Sequence, residues 1–116
     1  MKMPISEILD RLSITILKQL RTDHDMMKEI LTYMNVVKDY KDCSHFLIRL
    51  ITVNNEMWDL EAALRLAQED ELGLEEVGRR SLLIRDMNKK RVSIKNEIVE
   101  HYVEGFKDIK VNHVSE

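Results

Sequence analysis

Apolar residues recur at steps of three and four along most of the chain, the spacing of amphipathic helices rather than the alternation of strands. The first stripe runs through Ile5, Ile8, Leu9, Leu12, Ile16 and Leu20, then Met27, Ile30 and Met34, with Ile14 and Leu17 on the other side. It begins near Pro4 or Ser6, where proline suits a first turn and Glu7 sits at the positive end of the helix dipole. Nothing breaks the pattern before Asn35, so the first helix is expected to run about thirty residues, roughly 45 Å at ~1.5 Å per residue. A helix apolar on two sides is sandwiched between neighbours, and Ile14 and Leu17 are the expected contacts with a second copy of the chain.

The periodicity lapses over the stretch VKDYKDCS (37–44), where Asp42 or Ser44 can cap the next helix. A second helix is predicted from about His45 to Gln68, ending in the acidic stretch EDELG at 69–73. A third begins near Leu74, carries Val77, Ile84, Met87, Ile94, Ile98 and Tyr102 on one face, and ends at Gly105. The short turn at Gly73 makes the last two an antiparallel hairpin, in which positions whose numbers sum to roughly 145 lie level. The expected fold is all-α: an antiparallel three- or four-helix bundle with a long first helix. Residues 1–105 are expected to form one domain, and residues 106–116 a tail that is either frayed or bound to a partner.

Composition agrees with that pattern. With 116 residues the chain fits a single domain that buries roughly two thirds of its unfolded surface. Three Gly and one Pro supply too little turn chemistry for a many-stranded sheet. The net charge is −3 with both signs dispersed and no basic block, which argues against a nucleic-acid partner. Cys43 is alone and cannot form an internal disulfide; the N-terminus lacks a signal-peptide core, and no apolar run approaches the ~20 residues of a membrane span. A cytoplasmic protein with no membrane partner is expected.

Polar residues interrupt the buried faces. The second helix steps through Leu47, Leu50, Asn54, Met57 or Trp58, Glu61 and Leu64, and the third places Asn88, Arg91 and Lys95 amid its apolar stripe. The register puts Asn54 opposite Arg91 and Trp58 near Asn88; Thr15, Gln19 and Asp23 of the first helix are acceptors within reach of Arg91. A desolvated guanidinium without a partner costs several kcal/mol, so these residues are expected to form a shared polar layer of Gln19, Asp23, Asn54, Trp58, Glu61, Asn88 and Arg91. The sharper reading of the same place is a pocket for a small anion built from Asn54, Glu61, Asn88, Arg91 and Lys95. Glu97, His101 and Glu104 have the helical spacing of a metal site but read as a solvated face, and no catalytic residue, metal ligand or cofactor is assigned.

Three resemblances bear on function. The stretches LDRLSI (9–14), NNEMWDLE (54–61) and NKKR (88–91) resemble a family of small helical bacterial and phage proteins, classed as a domain of unknown function and encoded beside enzymes of surface-glycan assembly. Glu7, Leu9, Asp10, Arg11, Ile14, Lys18, Asn54, Met57, Trp58, Glu61, Asn88, Arg91, Lys95 and Ile98 take the matching positions, with Met57 replacing a Leu and Ala62 an acid; residues 22–49 are not covered. That resemblance implies a shared architecture and no activity. The first helix is also similar to the opening helix of the all-α chorismate mutases, but Asp23 stands where that family has a substrate-binding Arg. Glu56 and Asp59 with Glu75 and Glu76 come near the magnesium-binding carboxylates of the all-α nucleoside triphosphate pyrophosphohydrolases, without the second acidic motif. The function expected is that of a non-enzymatic interaction or accessory module acting as a homodimer, open to a protein partner. The alternative is an enzyme of one of those two kinds with a polar pocket between helices.

Overall fold

A computed structural model describes residues 3–114, with side chains described as far as Tyr102. The chain forms four helices: α1 (Ile5–Arg21), α2 (Met27–Val37), α3 (Cys43–Glu69) and α4 (Leu74–Val114). α2 runs back along α1 and α4 back along α3, while α1 and α3 lie parallel, so the bundle is up-down-up-down and all-α, with no strand among the described residues. α1 packs on α3 and α4, α3 packs on α4, and α2 lies on the outer side of α1.

The long first helix of the sequence reading is two helices. Between them lies TDH at 22–24 with Asp25 beyond, and its short polar side chains compete with the helical backbone. Thr22 donates to the Lys18 carbonyl at 2.6 Å and accepts the His24 N–H at 3.2 Å, while Asp25 accepts the Met27 N–H at 3.1 Å. Gln19 accepts the Met26 N–H at 2.6 Å, so it fastens this corner and takes no part in the polar layer. The stripe therefore breaks at Thr22, and Leu20, expected in the core, is exposed.

The hairpin keeps its expected register to within two residues. Arg80 donates to the Ala63 carbonyl, Arg49 pairs with Glu97, and the Tyr102 hydroxyl meets the Cys43 thiol at 2.9 Å. The turn itself differs in detail. α3 ends in a Schellman arrangement, with Leu72 N–H on the Ala67 carbonyl at 3.0 Å and Glu71 N–H on the Gln68 carbonyl at 3.3 Å. Glu71, at φ 54°, holds the left-handed position usually given to glycine, and Gly73, at φ 95°, makes a second left-handed step into α4. α4 then passes Gly105, which does not end it; the tail expected over residues 106–116 has its side chains outside the described residues.

The core is aliphatic with one aromatic anchor. Leu9 of α1 inserts between Phe46, Leu50 and Val53 of α3 and Ile94 and Ile98 of α4. Tyr40, in the loop before α3, stands edge-on to Tyr102 at 5.3 Å, and Tyr102 donates to the Lys41 carbonyl at 2.6 Å, which closes this end of the bundle. Among the described residues no helix is long and apolar enough to cross a membrane.

Candidate functional site

The buried face of α1 is half polar. Ser6, Asp10 and Ser13 recur at helical spacing with Leu17, and all four are buried, Asp10, Ser13 and Leu17 in the junction with α3 and α4. Asp10 is 1 % exposed, and every acceptor it offers is used. Arg91 of α4 donates through Nε to Oδ1 at 3.0 Å and through Nη2 to Oδ2 at 2.5 Å, the forked geometry that suits a guanidinium to a carboxylate. Asn54 of α3 donates one amide nitrogen to Asp10 Oδ1 at 3.1 Å and to Ser13 Oγ at 2.8 Å, and Ser13 in turn donates to the Asp10 carbonyl at 2.6 Å. Lys95 stands 3.8 Å from Asp10 Oδ2 and bonds Glu7 one turn earlier on α1.

Burial alone pushes the Asp10 carboxyl up, but hydrogen bonds from Arg91 and Asn54 and the charges of Arg91 and Lys95 outweigh it and hold the group below the usual carboxylate range. Arg91 is pushed up in return, chiefly by its bond to Asp10. An ionised carboxylate saturated with donors is a tie between helices; it has no free lone pair with which to act as a base.

The structure brings some of the expected residues together and disperses others. Asn54 and Arg91 meet, but through Asp10 rather than directly. Asn88 lies at the edge, its Oδ1 3.5 Å from Arg91 Nη1. Glu61 is exposed beside the layer, and Asp23 is exposed in the corner after α1. Trp58 is half-buried, with the Arg21 guanidinium 5.2 Å above its ring. Leu17 is buried within its own chain, so it is not available for the contact between copies expected of Ile14 and Leu17. Asp10, Ser13 and Glu7 were absent from the expected layer, although Asp10 and Glu7 belong to the motif that carries the first resemblance.

A recess of about 260 Å³ opens next to the layer, at the junction of α1, α3 and α4. Ile14, Leu17, Met57 and Trp58 form its apolar lining, and Lys18, Asn54, Glu61 and Arg91 its polar one. At the other end of the hairpin, Glu97 is paired with Arg49, and His101 packs edge-on to Phe46 at 5.3 Å, 3.8 Å from Asp42; the Glu104 side chain lies outside the described residues. Among the described residues no three His, Cys, Asp or Glu side chains are grouped to hold a metal ion. No protein-family model, no curated protein and no solved structure matches the chain.

Proposed function

We propose that the protein is a non-enzymatic helical interaction module whose working form is a homodimer. The observation that carries this reading is the bare end of the α3–α4 hairpin. α1 stops at Arg21, which reaches Asn55 at 2.7 Å and Asp59 at 2.6 Å, and the hairpin continues beyond that level toward its turn with no third helix against it among the described residues. There Leu66, Leu72, Leu74, Leu82 and Leu83 are between 40 and 90 % exposed. Leu60 and Leu83 also floor an open groove of about 570 Å³, rimmed by Glu56, Asp59, Asp86 and Lys90. An apolar floor with a charged rim is the anatomy of a protein contact.

A second hairpin laid on the first converts two helices into four, and apolar area so covered stabilises by about 25 cal/mol per Å². Because both copies carry the same patch, a two-fold contact closes the assembly. This contact takes the place of the one expected at Ile14 and Leu17. A cytoplasmic location belongs to the same reading and is supported by a lone, buried thiol. Kinship with the small helical family is supported by its motif residues Glu7, Asp10, Asn54, Arg91 and Lys95 meeting in one network.

Neither enzymatic alternative draws comparable support. A mutase needs cations free to hold two carboxylates, whereas Arg91 and Lys95 are engaged by Asp10 and Glu7. A hydrolase needs gathered carboxylates, whereas Glu76 is held by Arg79 and Arg80. Light scattering across a concentration series tests the reading: the wild type is expected at twice the chain mass and Leu83→Glu at the chain mass. A wild type that stays monomeric at the highest concentration contradicts it.

A further inference from the structure

The recess beside the polar layer has a composition that the layer does not require. Lys18 and Glu61 both line it, and neither makes an ion pair or side-chain hydrogen bond among the described residues. Asn54 spends its amide nitrogen on Asp10 and Ser13, yet its Oδ1 accepts nothing; since among the described residues no buried polar side-chain atom lacks a partner, that oxygen is not closed off, and Asn54 lines the recess. Arg91 commits Nε and Nη2 to Asp10 and leaves Nη1 with only the 3.5 Å contact to Asn88. Two donors and two acceptors thus converge over an apolar floor of Leu17, Met57 and Trp58. Such convergence between bundle helices marks a small-molecule site, and about 260 Å³ falls just under the ~300–1,000 Å³ of drug-sized ligands, so the occupant is compact.

The charges select its class. Arg91 is already opposed by Asp10, with Glu61 a weaker influence on it, which leaves one cation and one carboxylate, Lys18 and Glu61, without an ion-pair partner among the described residues. A phosphate would meet Glu61 with too little positive charge to offset it. A molecule with one charge of each sign answers both, its carboxylate toward Lys18 and Arg91 Nη1, its ammonium toward Glu61 and Asn54 Oδ1, and its body on the apolar floor. We infer that the recess between α1, α3 and α4 binds a free α-amino acid with an apolar side chain.

Trp58, the only tryptophan, lines the recess and reports occupancy through its emission. Titration with L-leucine, L-methionine and L-phenylalanine is expected to give a saturable change for at least one of them. The matching acid without the ammonium group, and the matching amine without the carboxylate, are expected to bind at least tenfold more weakly, and inorganic phosphate to give no response. Lys18→Met and Glu61→Gln, both at exposed positions, should each weaken binding at least tenfold with an unchanged unfolding temperature. No saturable response to any of the three amino acids, an equal response to the analogues or to phosphate, or unaltered binding in both variants overturns the inference.

Discussion

Arg91 on α4 grips Asp10 on α1 with two nitrogens, Nε at 3.0 Å from Oδ1 and Nη2 at 2.5 Å from Oδ2, and so joins residues 81 positions apart in the chain. The grip depends on the planar fork as well as on charge, because a lysine can place only one compact ammonium at the same carboxylate. Arg91→Lys is therefore expected to cost about 1.5–3 kcal/mol, the value of one charge-assisted hydrogen bond, read as a lower urea midpoint with an unchanged slope. A midpoint equal to wild type would show that a point charge suffices.

The same pair sets an acid limit. Asp10 binds its proton less readily in the folded chain than in the unfolded one, where the ordinary value is ~3.9. Between those two values the unfolded chain takes up a proton that the folded chain refuses, so stability rises with pH across the window. The contribution is whole above the unfolded value and is lost as pH falls through the folded one. Urea midpoints measured from neutral pH into acid should show Asp10→Asn to be less stable than wild type near neutrality, with the gap closing below about pH 4. A gap that stays constant through the acid range would mean that Asp10 is not held ionised by its partners.

Two leucines separate core from surface. Leu50 is 0 % exposed in the cluster with Leu9 and Ile98, and Leu50→Ala should cost about 2–5 kcal/mol through lost burial and a residual cavity. Leu20, 74 % exposed, should tolerate Ala within about 0.5 kcal/mol. Thermal unfolding of the two variants side by side checks the contrast.

Two residues in the α3–α4 turn should respond with opposite signs. Glu71 occupies a left-handed position at φ 54°, and Glu71→Gly is expected to stabilise by about 1 kcal/mol because glycine adopts it without a Cβ clash. Gly73 sits at φ 95°, where an added Cβ would touch nothing within 4 Å, so the cost of Gly73→Ala is backbone strain alone, about 1–2 kcal/mol. Equilibrium unfolding reads both.

Much of this bundle is legible from spacing. Apolar residues at three and four fix the helices, and equal rise along α3 and α4 puts Ala63 beside Arg80 and Cys43 beside Tyr102. What spacing misses is where local hydrogen bonding outcompetes it. Leu20, Met27 and Ile30 continue the stripe of α1 on paper, but the Thr22 hydroxyl and the Asp25 carboxylate give the backbone another place to bond. The polar layer is half legible for a related reason. Asn54 and Arg91 stand out because each interrupts an apolar face, whereas Asp10 lies between Leu9 and Arg11 and looks like the solvated edge of α1. Only the packing of α3 and α4 over positions 10, 13 and 17 turns that edge inward.

A double-mutant cycle across Asp10→Leu and Arg91→Met, followed by urea unfolding, probes the tie on which both the helix register and the recess rest. Each single change strands a charged partner and should cost about 3 kcal/mol, the low end for a buried pair because Arg91 remains 28 % exposed. The double variant, with two apolar side chains facing each other, should recover most of that loss, giving a coupling of about 2 kcal/mol or more. Losses that add to within about 0.3 kcal/mol would mean that the two residues do not meet in solution, and that α1 is held against α4 by something other than this pair.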